Sequence, residues 1–131
     1  MKKLNTENSN RVIKFRAWDK INKEMYLVNK LEFDRDLITL ELPKGNEPWE
    51  AMSIPKSQTI LMQFIGLFDK NGKAIFEGDR VVETDIHGNT ESGIIGFRSG
   101  AFVIDWQDRG FKFLNEKDSL EITNNIYENK N

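Results

Sequence analysis

The single histidine, His87, stands two residues after Asp85 and four after Glu83 in the run Glu83-Thr84-Asp85-Ile86-His87-Gly88-Asn89. On an extended strand these side chains alternate onto one face, where Asp85 and His87, with Glu83 as a third ligand, could hold a divalent metal for assisted hydrolysis. The competing reading is a hairpin tip, because Gly88-Asn89 marks a chain reversal that leaves the imidazole in water. Cysteine is absent, so the chain has no thiolate nucleophile, disulfide framework or cysteine zinc site. A serine triad would have to use His87, and no glycine-rich phosphate loop, nucleophile elbow or His-Glu-x-x-His run occurs. The residues call for no cofactor, and the expectation is a protein without enzymatic activity.

Asp69, Glu77, Asp79, Asp85 and Asp105 could serve as general acids or bases only if a cleft paired them at a controlled spacing. Asp69 precedes Asn71-Gly72 and Asp79 follows Gly78, where a carboxylate commonly accepts backbone N–H groups and fixes a turn. Gly66, Asp69, Asn71, Gly72, Glu77, Gly78 and Asp79 are therefore read as scaffold residues. A second surface is suggested by Phe97, Arg98, Trp106 and Arg109, with Phe102, Phe111, Lys112 and Phe113 nearby, since aromatic rings beside cations can stack single-stranded nucleic acid. Along Phe111-Lys112-Phe113 the rings fall on one face and the cation on the other, so that strand alone makes no mixed platform.

Lys and Arg number 19 against 21 Asp and Glu, and the formal charge of −2 supplies no long-range field for a polyanion. Tight nucleic-acid binding is disfavoured. Hydrophobic residues make up 38% of the chain and aromatic residues 11%, enough for a packed core in 131 residues. The chain lacks a run of about 18 apolar residues and its polar opening, Met1 to Asn10, has no signal-peptide core. The expectation is a cytoplasmic protein that does not enter a membrane.

The elements that must position these groups read as short strands. Ile13, Phe15 and Ala17 alternate with Lys14, Arg16 and Trp18, and the turn residues from Asp19 to Glu24 lead into Met25–Val28, a hairpin. Ile38, Leu40 and Leu42 share one face of a further strand ended by Pro43-Lys44-Gly45-Asn46. From Glu47 to Gln58 the period is lost between Pro48 and Pro55, which predicts an irregular connection carrying Trp49 and Met52. Ile60–Ile65 reads as a strand closed by Gly66. Asn71-Gly72, Gly78-Asp79, His87-Gly88-Asn89, Ser99-Gly100 and Asp108-Arg109-Gly110 then punctuate strands at Arg80–Thr84, Gly93–Phe97, Ala101–Trp106 and Phe111–Leu114, with Leu120–Thr123 last. The predicted fold is mainly β: a frayed polar start over 1–11, an N-terminal strand and hairpin subdomain over 12–62, and a C-terminal small SH3-like barrel over 63–131. Ile126 and Tyr127, apolar in a polar tail, should dock on the folded body.

Three segments, Ile13–Asp19 with Trp18, Gln63–Asp79 and Ser119–Ile122 through Asn125–Asn129, resemble the YopX family of phage and prophage proteins. The resemblance runs nearly the whole chain after the polar start. The family often has Tyr where Phe64 and Phe76 stand, Thr at Ile65 and Gly at Asn124, so a catalytic hydroxyl at those positions is not expected here. What the resemblance implies is phage or prophage origin, a mainly β fold, possible homo-oligomers and no established activity. The function expected is therefore a non-enzymatic accessory protein that binds a protein partner or its own copies. The alternatives are a single-stranded nucleic-acid-binding module and a metal-assisted hydrolase.

Overall fold

A computed structural model describes residues 11–42 and 52–128. The polar start, the turn at Pro43–Asn46, Trp49 and the last three residues lie outside them. The described chain is nearly all strand: β1 Phe15–Asp19, β2 Glu24–Glu32, β3 Leu37–Leu40, β4 Met52–Ile54, β5 Thr59–Phe68, β6 Ala74–Phe76, β7 Asp79–Thr84, β8 Thr90–Arg98, β9 Ala101–Asp105, β10 Phe111–Phe113 and β11 Leu120–Asn125. A one-turn 3-10 helix at Lys56–Gln58 follows Pro55. No helix among the described residues is long and apolar enough to cross a membrane.

Two antiparallel sheets result, in the orders β4-β3-β2-β1-β5-β6 and β10-β9-β8-β7-β11. The mainly β fold is as the alternation of side chains predicts. The second sheet does not close as the SH3-like barrel requires: β10 and β11 are its two ends, and no ladder joins them among the described residues. Met52 also departs from expectation. It opens β4, which adds to β3 through Leu40↔Met52 and Ile38↔Ile54, because Pro55 caps the strand rather than preventing it.

β5 links the sheets. Its first half pairs with β1 from Thr59↔Asp19 to Gln63↔Phe15, and its second half pairs with β6. Gly66 does not close the strand, as expected from sequence, but bulges it: Phe64↔Phe76 and Phe68↔Ala74 place four steps of β5 against two of β6, with Gly66 at φ +89°. A left-handed residue in a bulge bends its strand. Around this bend Ile65 and Leu67, with Ile75 of β6, lie against Val81, Ile95, Ile104 and Leu120 of the second sheet, forming one core. Ala17, Ile38, Leu40 and Ile54 of the first sheet form the other.

Candidate functional site

The scaffold residues singled out in the sequence converge where the two sheets meet. Asp69 follows β5 directly, and its Oδ1 accepts the N–H groups of Asn71 and Lys73, both at 2.9 Å. Its Oδ2 reaches across to the N–H of Ile122 in β11 at 3.1 Å. Beside it the Lys70 N–H donates to the Leu120 carbonyl, so one hairpin turn is stitched to a strand about fifty positions later in the chain. Burial raises the Asp69 carboxyl, but the N–H groups of Ile122, Lys73 and Asn71 outweigh it and hold the pKa below the ordinary value.

Glu77 and Asp79 fasten the same corner from the other side. Glu77 Oε1 accepts the Gln63 N–H at 2.8 Å, and the Glu77 N–H donates to the Gln63 carbonyl. Asp79 is 2% exposed; one oxygen accepts the Phe76 N–H and the other pairs at 2.8 Å with Arg16 of β1. Arg16 also donates to the Glu77 carbonyl and lies across the Phe76 ring, 4.9 Å from its centroid. Burial pushes the Asp79 carboxyl up and the Arg16 charge opposes it. The net direction is upward, because both partners are withdrawn from water.

Gly78, between β6 and β7, adopts φ +87°, donates to the Ile95 carbonyl and accepts the Ile126 N–H. A Cβ there would stand 3.0 Å from Met62 Sδ and 3.5 Å from the Tyr127 ring, so both backbone conformation and close packing select glycine. The tail docks as expected: Tyr127 stacks on Trp18 with centroids 5.9 Å apart, and Asn125 Oδ1 caps the N–H groups of Tyr127 and Glu128. Beside this junction lies an open cleft of about 360 Å³ between β1, β2, β6 and β11, with Arg16, Leu27, Lys73 and Asn124 among its walls.

Sequence reasoning missed Arg16 and Asp19 as parts of these networks, and for Tyr127 it foresaw docking but not Trp18 as the partner. Asp19 Oδ1 accepts the N–H groups of Ile21 and Asn22 and the Gln58 side chain. Burial raises its carboxyl, but the Gln58 and Asn22 side chains and those two N–H groups bring the pKa down to about 2. The Asp19-x-x-Asn22 spacing carries a local turn signal, whereas nothing local points to Gln58 or pairs Arg16 with Asp79.

The second proposed surface does not form one platform. Arg98 stacks on Phe111 at 4.3 Å and pairs with Asp105, on the face of the sheet opposite Phe97. Phe97 meets Phe102 edge-on, while Trp106 packs beside Gly93 at the other end of β8 and carries Arg109 above it. Arg109 is itself held by Glu91. Cation–aromatic contacts thus exist between strands, but each cation already has a carboxylate.

The metal reading of the hairpin tip meets a different geometry. Asp85 Oδ1 accepts the N–H groups of His87 and Asn89, so the carboxylate organises the turn instead of facing the imidazole as a co-ligand. Glu83 binds Lys112. Among the described residues no group of three or more His, Asp or Glu lies together as a metal site would require.

The fold and this junction define a two-sheet β protein in which the most motif-rich block fastens one sheet to the other. The family model described as YopX protein matches residues 14–131, and the chain belongs to that family. Among solved structures it is similar to protein EF1440 from Enterococcus faecalis, with 26% identity, TM-score 0.64, and 92% of this chain and 96% of that one covered. It is also similar in fold to protein yopX from Bacillus subtilis, with 16% identity, TM-score 0.55, and coverage of 88% and 92%. No curated protein sequence matches the chain.

Proposed function

We propose that this chain is a non-enzymatic accessory protein of a phage or prophage, working in the bacterial cytoplasm by binding a protein partner or further copies of itself. The observation that carries this reading is the occupation of the family block: Asp69, Glu77 and Asp79 all accept backbone N–H groups at the sheet junction. Acid–base chemistry needs such groups aimed at a substrate instead. Meanwhile Phe33, Phe68, Phe97 and Phe113 leave large apolar surface in water, the kind of surface that association removes. Phage origin and self-association rest on the family resemblance.

Sedimentation velocity over a concentration series, on the parent and on Phe68→Ser and Phe113→Ser, tests the reading. Association with itself or with a purified partner should weaken in at least one variant. A protein that stays monomeric and captures no partner dependent on these rings would overturn it. The second reading, a single-stranded nucleic-acid binder, is favoured only by the Arg98–Phe111 and Arg109–Trp106 contacts. Titration of fluorescent single-stranded DNA across a salt series decides it. Sub-micromolar, salt-dependent binding would replace the first reading.

A further inference from the structure

The cleft between the sheets has features that the junction's structural role does not require. Arg16 gives Nη2 to Asp79 and to the Glu77 carbonyl, yet its Nε is enclosed and has no hydrogen-bond partner. A buried guanidinium donor without an acceptor is costly and is ordinarily matched by a water or an ion. Lys73 stands on the same cleft, so two cations face the single carboxylate of Asp79 and leave one positive charge in excess. The remaining wall is apolar on one side, with Met25, Leu27 and Ile122, and carries the Asn124 amide on the other. Leu27 is 47% exposed, an open apolar wall rather than a packed core residue. The volume of about 360 Å³ falls within the range of small-molecule sites.

We propose that this cleft binds a small organic oxyanion, a carboxylate or phosphate ester with a compact apolar body, with the anionic end toward Arg16 and Lys73 and the body against Met25, Leu27 and Ile122. The Arg16 guanidinium attracts either oxyanion by its charge and Lys73 adds an exposed ammonium donor, which is why the two sources share one chemistry. Asp79 holds the guanidinium in place and cancels one of the two charges, so a monoanion neutralises the site and a cation is repelled.

The test is a nuclear magnetic resonance titration of the whole chain, following the backbone amides and the Arg16 Nε–H signal. The probes are benzoate, phenyl phosphate, inorganic phosphate, benzyl alcohol and benzylamine. Benzoate or phenyl phosphate should shift the Arg16 signal and the Asn124 and Leu27 amides, and whichever binds better names the source. Benzyl alcohol, benzylamine and inorganic phosphate should each bind at least tenfold more weakly.

Arg16 also supports the fold, so the variants are Lys73→Gln and Leu27→Asp, both at solvent-facing positions. Lys73→Gln should weaken the better probe about threefold to fivefold, as loss of one exposed charge does, and Leu27→Asp should weaken it more than tenfold. The proposal fails if no probe moves these signals up to about 10 mM, a concentration at which even a millimolar site would fill. It fails equally if the alcohol or inorganic phosphate matches the aromatic anions, or if both variants bind as the parent does.

Discussion

Asp69 and Asp85 organise their hairpin turns with the same local bonds: in each case Oδ1 accepts the N–H groups two and four residues further on. Their second oxygens differ: Asp69 Oδ2 accepts the Ile122 N–H from another strand and the residue is 5% exposed, while Asp85 Oδ2 accepts the Asn89 side-chain amide of its own turn and stays in water at a hairpin tip. Two identical pieces of turn chemistry thus carry different loads. A carboxylate at a free tip shapes one loop, whereas the same carboxylate pressed against another strand also sets where that strand lies. The local pattern is a property of sequence spacing, and its consequence is a property of what the turn folds against.

The comparison breaks most sharply at the corner that Asp69 shares with Asp79. Asp79→Ala should cost about 3 to 5 kcal/mol, because it strands the largely buried Arg16 charge without a partner. Chemical denaturation reads this, and Asp79→Asn, which keeps an acceptor for the Phe76 N–H, should fall between the two. A loss under about 1 kcal/mol would mean that the junction is not held by this pair. Gly78→Val should follow at about 3 kcal/mol, from backbone strain at positive φ together with the Met62 contact.

Asp69→Ala should cost about 2 kcal/mol, since three backbone donors lose their acceptor and one of them lies in another strand. Asp85→Ala should cost under about 1 kcal/mol, because water replaces the lost bonds at an exposed tip. Equal thermal shifts for this pair of variants would dissolve the distinction between the two turns. Amide hydrogen exchange sharpens it further: Asp69→Ala should speed exchange at Ile122, and Asp85→Ala should leave Ile122 unchanged.

A further effect is one of pH. The Asp19 carboxyl sits at about 2 in the fold against an ordinary 3.8, and Asp69 is also lowered. Groups with a depressed folded pKa contribute stability that is present above the unfolded pKa and lost as pH falls through the folded value. Urea midpoints should therefore hold down to about pH 4 and then decline towards about pH 2. Asp79, raised in the fold, acts in the opposite direction, so the decline should be steeper in Asp79→Asn, and a midpoint that rises on acidification in that variant would contradict the bonding assigned to Asp19 and Asp69.

Much of the fold was legible because its signals are local. The alternation through Ile38 and Leu40, and the Asn71-Gly72 and Gly88-Asn89 reversals, each write a strand or turn within a few residues. Met52–Ile54 was not legible, since three residues before a proline hold too little period to show a strand that exists by pairing with β3. Gly66 looked like a stop because a bulge and a strand end use the same residue type. At the site, the turn roles of Asp69 and Asp79 followed from their neighbours. Arg16 opposite Asp79 and Tyr127 on Trp18 depend on contacts across more than sixty residues, which no window of sequence contains.

The unbroken passage of β5 from one sheet's ladder into the other core has a consequence for anything entering between the sheets. Swinging the second sheet away would break the Lys70–Leu120 and Gly78–Ile95 backbone bonds and bare Ile65 and Leu67 of β5, so this corner acts as a strut. The gap is set at its working width before an occupant arrives. Little chain entropy is then lost on binding, and affinity depends on the occupant's own fit rather than on a closing motion.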